Sequence, residues 1–179
     1  MLKLYKSGRL VDPLHLRPMD LDIRDIAWNL SLICRYTGSF PFHYSVAQHS
    51  ILVADLMKRD HHEIKVQLAG LLHDAAEYVM GDVNFHLKKL PELADYNRRE
   101  HQCSQMILKH YDINPVSLDI VKPYDREAAH IEMAVRDGTA SGILPYDPGV
   151  IYHRFLLKFE ELSGNDLYDH STFSLPSSL

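Results

Sequence analysis

Residues 67–82 read QLAGLLHDAAEYVMGD, and the class of fold turns on this stretch. Ile64, Leu68, Leu71, Leu72 and Ala75 recur at helical spacing, so a helix is expected from about His62 to Val79, with Gly81 as its stop. His73 and Asp74 fall inside its apolar run. Burying a charged Asp beside a His is costly unless something compensates. A bound cation does so, because it pairs with the carboxylate and accepts the imidazole lone pair. A helix end with a solvated Asp and a packed His is the plainer alternative.

Upstream, Ser45-Val46-Ala47-Gln48 is an S-x-x-Q capping box that opens a helix running to about Met57 through Val46, Leu52, Val53 and Leu56. His49 lies on its inward face, far enough ahead of His73 for an antiparallel return to bring the two imidazoles together. Downstream, Asp125 in Val-Lys-Pro-Tyr-Asp-Arg is the best later candidate for a fourth ligand. Two His and two carboxylates make a mixed nitrogen–oxygen set. Such a set suits Mn, Fe, Co, Zn or Ni better than Ca or Mg.

The rest of the chain repeats the helical theme. Leu2, Leu4, Leu10 and Val11 flank a Ser7-Gly8 turn and suggest a short hairpin, broken by Pro13 and Pro18. Asp22 is the expected N-cap of a first helix whose face carries Ile23, Ile26, Ala27, Leu30 and Cys34 and which ends, at Arg35, before Gly38. A long helix is expected from about Pro91 to His110, and Asn114-Pro115 reads as the start of the next. Pro123 either kinks that helix or begins another, which continues to Asp137-Gly138. Asp147-Pro148 precedes a last helix, Val150–Leu162, closed by Gly164. These elements predict one all-α domain over residues 1–170, a bundle of six or seven helices with a short N-terminal hairpin, and a frayed Ser-rich tail at 171–179.

Composition narrows the function. The 179 residues are 46% hydrophobic and 24% charged, which is enough chain for one domain with a core. No apolar run reaches the roughly 18–20 residues needed to cross a bilayer. A formal net charge of −5 argues against coating duplex nucleic acid. The start, MLKLYKSGRLVDP, has no apolar stretch of the secretory kind, and Cys34 and Cys103 read as buried thiols, so a cytoplasmic protein is expected.

The ordered set Ser-Val-Ala-Gln-His, Leu-Leu-His-Asp-Ala-Ala-Glu-Tyr and Gly-Asp resembles the HD-domain phosphohydrolases, in the branch of bacterial and phage 5′-deoxynucleotidases. The resemblance runs from about Asp22 to Asp137. It implies that His49, His73, Asp74 and Asp125 hold one divalent transition metal per subunit, with room for a second ion alongside substrate. It makes Glu77 and Asp82 the catalytic carboxylates, and Arg35 and Lys88 the phosphate contacts. On an unbroken helix Glu77 stands one turn beyond His73 on the same face, where it can orient water or pass a proton to a leaving 5′-oxygen. Tyr36 is the candidate for stacking on a base, and Trp28 reads as core. Three departures bear on substrate choice rather than on the metal set: Ser39 where relatives often carry His, Val83-Asn84-Phe85-His86 where they carry a Pro-containing stretch, and Tyr124 where they often carry Ala.

The expected activity is hydrolysis at the α-phosphorus of 2′-deoxynucleotides. A monophosphate would yield phosphate, and a triphosphate, dATP among them as in some phage enzymes of the branch, would yield triphosphate. The triphosphate option would draw on His86–Lys89, Arg98 and Arg99. An HD phosphodiesterase acting on cyclic or dinucleotides and a metal-stabilised regulatory module are the alternatives. The resemblance further implies a homodimer or higher homo-oligomer, with a small-molecule deoxynucleotide as ligand and neither duplex nucleic acid nor membrane as partner.

Overall fold

Asp22 starts the first helix as its sequence requires: its Oδ1 accepts the Arg24 amide at 2.9 Å, and α1 runs over Ile23–Leu32. The computed structural model describes residues 2–4 and 6–167; the tail at 171–179 lies outside the described residues. Before α1, strands β1 (Leu2–Lys3) and β2 (Leu10–Val11) pair antiparallel, Leu2 opposite Val11 and Lys3 opposite Leu10, as the hairpin pattern predicts.

α1 stops short of Cys34. Instead of sitting on the helix face, Cys34 pairs with Ser45 in an antiparallel bridge, flanked by Arg35 N–H to Tyr44 O at 2.9 Å and Val46 N–H to Ile33 O at 3.0 Å. Arg35 therefore does not end the helix. It opens a 3-10 turn, Arg35–Gly38, in which Tyr36 and Thr37 take left-handed φ values of 55° and 54°. Such values are strained for non-glycine residues and persist only where surrounding contacts hold them.

The Ser45–Gln48 capping box forms, with both reciprocal bonds at 3.2 Å, and α2 spans Val46–Arg59. The helix expected through Val79 does not. α3 covers Ile64–Leu72 and then breaks, because the His73 side chain takes the carbonyl of Gly70 at 2.7 Å, the acceptor a continuing helix would offer to the Asp74 amide. The chain tightens into three-residue steps, with Ala75 to Leu72, Glu77 to Asp74 and Tyr78 to Ala75 at 3.0–3.2 Å, before the short α4, Glu77–Met80. His73 and Glu77 thus lie on separate elements.

The connector after Gly81 contains a further short helix, α5 (Phe85–Lys88), capped by Asn84. α6 spans Ala94–His110. α7 runs unbroken over Ser117–Arg136 through Pro123, which settles the choice left open there, and Asn114 caps the turn before it by accepting the Val116 amide at 3.1 Å. α8, Pro148–Ser163, is capped by Asp147 and ends at Gly164 with φ 73°. The described residues are mostly helical, with this one two-stranded sheet. Among them no helix is long and apolar enough to cross a membrane.

The core gathers α1, α2, α3, α7 and α8 around Ile26, Leu30, Met57, Leu68, Leu72 and Phe155, all fully buried. Cys103 is buried and Cys34 half-buried, both as free thiols. α3 lies hard against α2 at Gly70, where a Cβ would come within 2.6 Å of Met57 Sδ. That close approach brings the end of α3 to the first turn of α2, where His49 sits.

Candidate metal centre

Four side chains from three places in the chain converge at the broken end of α3. His49 projects from the first turn of α2, His73 and Asp74 from the turn after α3, and Asp125 from α7. The two Nε2 atoms face each other at 3.3 Å. Asp74 Oδ2 lies 3.2 Å from His73 Nε2 and 3.7 Å from His49 Nε2. Asp125 Oδ1 lies 3.1 Å from His49 Nε2 and 3.8 Å from His73 Nε2. The ligand atoms of His49, His73 and Asp74 all fall within 4.8 Å of one another, and this buried group can hold a metal ion. Exposure rises from 0% at the His49 side chain to 43% at Asp125, so the cluster opens toward solvent on the α7 side.

The hydrogen bonds behind the imidazoles fix which nitrogens face inward. Nδ1 of His73 lies 2.7 Å from the Gly70 carbonyl, and Nδ1 of His49 lies 2.6 Å from Glu132 Oε1. Both partners accept only, so each Nδ1 carries the proton and each Nε2 presents a lone pair. With both rings neutral, two lone pairs and two carboxylates meet with no donor among them, and in the metal-free protein a second proton on His73 relieves this. Burial alone would lower the His73 pKa, yet the charge of Asp74 and the hydrogen bond that His73 donates to Asp125 outweigh it and raise it well above the usual value. Burial opposes ionisation of Asp74 and Asp125 as well, but the facing imidazoles hold both below the ordinary carboxylate range. The cluster calls for positive charge at its centre, which a bound metal ion would supply.

Glu77 borders the cluster from α4. It is 5% exposed, and its Oε2 is buried without a hydrogen-bond partner. Burial, reinforced by the Asp74 and Asp82 carboxylates, pushes its pKa up to about 9. Asp82 is half-buried after Gly81 and is also shifted upward, by burial and by Asp74 against the opposing pull of Arg35 and Lys88. Lys88 sits 2.7 Å from Glu100 and 3.8 Å from Glu77. A cleft of about 170 Å³ opens here, with His73, Asp74 and Glu77 on one side and Lys88, Asn97 and Glu100 on another.

Arg35 is brought to the same place. Its Nη1 lies 3.5 Å from Asp74 and its Nη2 lies 3.3 Å from Glu132, with only 14% of the side chain exposed. Tyr36 is positioned differently from a base-stacking ring. Its hydroxyl donates to Glu132 Oε2 at 2.5 Å, and its ring stacks on Phe40 at 6.1 Å. Trp28 is partly buried and packs edge-on to Tyr152 at 5.5 Å against the core.

Along 159 aligned residues the chain is 32% identical to YfdR of Escherichia coli (strain K12), an uncharacterized protein, covering 80% of this chain and 85% of that one. The chain belongs to the YfdR family. A second uncharacterized relative, from Rhodobacter capsulatus, is 47% identical over 81 residues, which is 43% of this chain and 41% of the relative. No family model matches the chain.

Every residue singled out for the site in this YfdR relative falls in or beside the cluster. Glu132 and Tyr44, which complete it, escaped sequence reading. The signal for Glu132 is an acid two helical turns beyond Asp125, with Ala128 between them on the same buried face. Tyr44 reads as an ordinary loop aromatic, and only the bridge between Cys34 and Ser45 turns it inward.

Proposed function

We propose that the protein is a metal-dependent phosphohydrolase of the HD type, acting at the α-phosphorus of 2′-deoxynucleotides. What carries this reading is the meeting of the His49 and His73 Nε2 lone pairs with Asp74 and Asp125, bordered by a buried carboxyl and a buried guanidinium. A divalent metal held by those four residues would supply Lewis acidity, polarising a phosphoryl oxygen and making water acidic enough to serve as nucleophile near neutral pH. Arg35 presents a planar fork suited to phosphate oxygens at the edge of the cluster. Glu77, buried beside the cluster, would act as the general acid, handing a proton to the leaving 5′-oxygen as water bonds to phosphorus and the P–O bond breaks. Asp82 adds negative charge that keeps that proton in place.

Lys88 bears on the length of the phosphate chain. Its ammonium is taken up by Glu100 and Glu77 within the cleft, and Arg98 pairs with Asp95 at 2.9 Å. This favours a deoxynucleoside monophosphate, hydrolysed to deoxynucleoside and inorganic phosphate, over a triphosphate whose β- and γ-phosphates would meet Glu77 and Glu100.

A panel of dNMPs, dNTPs and cyclic dinucleotides tests the reading. Metal-free protein supplied with Mn²⁺, Co²⁺ or Zn²⁺ is expected to release deoxynucleoside and phosphate from monophosphates only after metal is added. Triphosphate released from dNTPs would transfer the reading to a triphosphohydrolase, and cleavage of cyclic dinucleotides alone to a phosphodiesterase. Metal that raises stability with no turnover of any substrate would leave a metal-stabilised module.

A further inference from the structure

Glu132 is the least expected side chain in the molecule. It is 0% exposed, in the middle of α7, and each of its two oxygens meets two nitrogen or hydroxyl groups. Oε1 accepts from His49 Nδ1 at 2.6 Å and from the Tyr44 hydroxyl at 2.8 Å. Oε2 accepts from the Tyr36 hydroxyl at 2.5 Å and faces Arg35 Nη2 at 3.3 Å. Stability alone does not call for this arrangement, since apolar residues of similar volume commonly replace buried charged networks without loss. Its donors point instead to the cluster: one oxygen grips a ligand imidazole, and the other is pinned by two groups from the strained turn Arg35–Gly38.

We propose that Glu132 is a positioning residue for the metal centre. By accepting a hydrogen bond from the Nδ1–H of His49 it fixes the tautomer that aims the Nε2 lone pair at the cluster and makes that nitrogen a stronger metal ligand. Tyr36 and Arg35 on Oε2 keep the carboxylate from rotating away. The inference rests on the metal-dependent reading above and adds a residue to it.

Calorimetric titration of metal-free protein with Zn²⁺ tests it, run on the wild type and on Glu132→Gln, with circular dichroism to establish that the variant is folded. Gln keeps the shape but loses the charge and presents amide donors to a ring of donors. Its zinc affinity is expected to fall about 10–100-fold. A folded variant that binds zinc within twofold of wild type would overturn the inference while leaving the hydrolase reading intact, because a purely structural Glu132 changes unfolding and not zinc affinity. A wild type that takes up no zinc would overturn both. Should Glu132→Gln not fold, NMR of the zinc-loaded wild type decides. A downfield, exchange-protected His49 Nδ1 proton is expected, whereas zinc on Nδ1 or a freely exchanging ring proton sinks the proposal.

Discussion

Asp125 and Glu132 stand two helical turns apart on α7 and grip opposite nitrogens of one imidazole: Asp125 Oδ1 is 3.1 Å from His49 Nε2, and Glu132 Oε1 is 2.6 Å from its Nδ1. Ala128 lies between them on the same face, fully buried. One face of one helix thus supplies both an inner and an outer partner to the same side chain, which makes α7 the element whose disturbance reaches furthest into the site.

Removing a ligand should therefore uncouple metal from folding. A metal present at about 1,000 times its dissociation constant stabilises the folded state by about 4 kcal/mol. In thermal unfolding, Mn²⁺ or Zn²⁺ is expected to raise the transition of the wild type and a chelator to lower it again. His49→Ala and Asp125→Ala should show neither shift and should carry no metal by elemental analysis. Full metal content in both variants would remove these residues from the ligand set.

Glu77 should separate chemistry from metal binding. Glu77→Gln is expected to slow turnover by about 10²–10⁴-fold with metal content unchanged. The same substitution has a pH signature in the metal-free protein. The Glu77 pKa rises from an ordinary 4.5 to about 9, so the unfolded chain releases this proton long before the folded one does. Its stabilising contribution is whole below about pH 4.5, falls as pH rises, and is gone above about 9. Denaturant unfolding across that window should show Glu77→Gln with a flatter profile and greater stability than wild type near pH 8. A parallel profile for the two proteins would mean that Glu77 ionises normally.

The two cations of the site should fail in different ways. Arg35→Ala removes the only guanidinium beside the buried Glu132 carboxylate among the described contacts, and breaking such a pair typically costs about 3–5 kcal/mol, read as a lower denaturant midpoint. It should also weaken dAMP binding about tenfold or more, since a charge-assisted phosphate contact is worth about 1.5–3 kcal/mol. Lys88→Ala should slow dAMP turnover through Glu77 while leaving the KM for dAMP within a few-fold. A selective loss on dATP would instead place Lys88 on a longer phosphate chain.

Gly70 should prove sensitive to a single methyl group. A Cβ there would meet Met57 Sδ at 2.6 Å in a fully buried contact, and overpacking of this kind costs about 1–3 kcal/mol. Gly70→Ala is expected to lower the thermal midpoint and, by moving the carbonyl that orients His73, to weaken zinc binding. In a Met57→Ala background the same change should be better tolerated. An equal penalty in both backgrounds would place the strain elsewhere.

The sequence alone determined that this chain is helical and where most of its helices start and stop, and it marked His49, His73, Asp74 and Asp125 as candidates for one cluster. Those properties are local: Asp22, the Ser45–Gln48 box and Asp147 act on the backbone beside them, and apolar spacing marks each helix's inner face. It misjudged α3, because a side chain that captures its own helix's carbonyl leaves no mark in hydrophobic spacing, and His73 does this at Gly70. Whether Pro123 would divide α7 was likewise open, since a proline's effect on a helix depends on what packs around it. Only the tertiary structure decided what stands behind the ligands. Glu132, Tyr44 and Tyr36 come from distant parts of the chain to form a buried hydrogen-bonded network, and Lys88 is taken up by Glu100. Pairings of this kind are set by how helices pack, since side-chain hydrogen bonds and ion pairs act over a few ångströms that only the folded chain brings about.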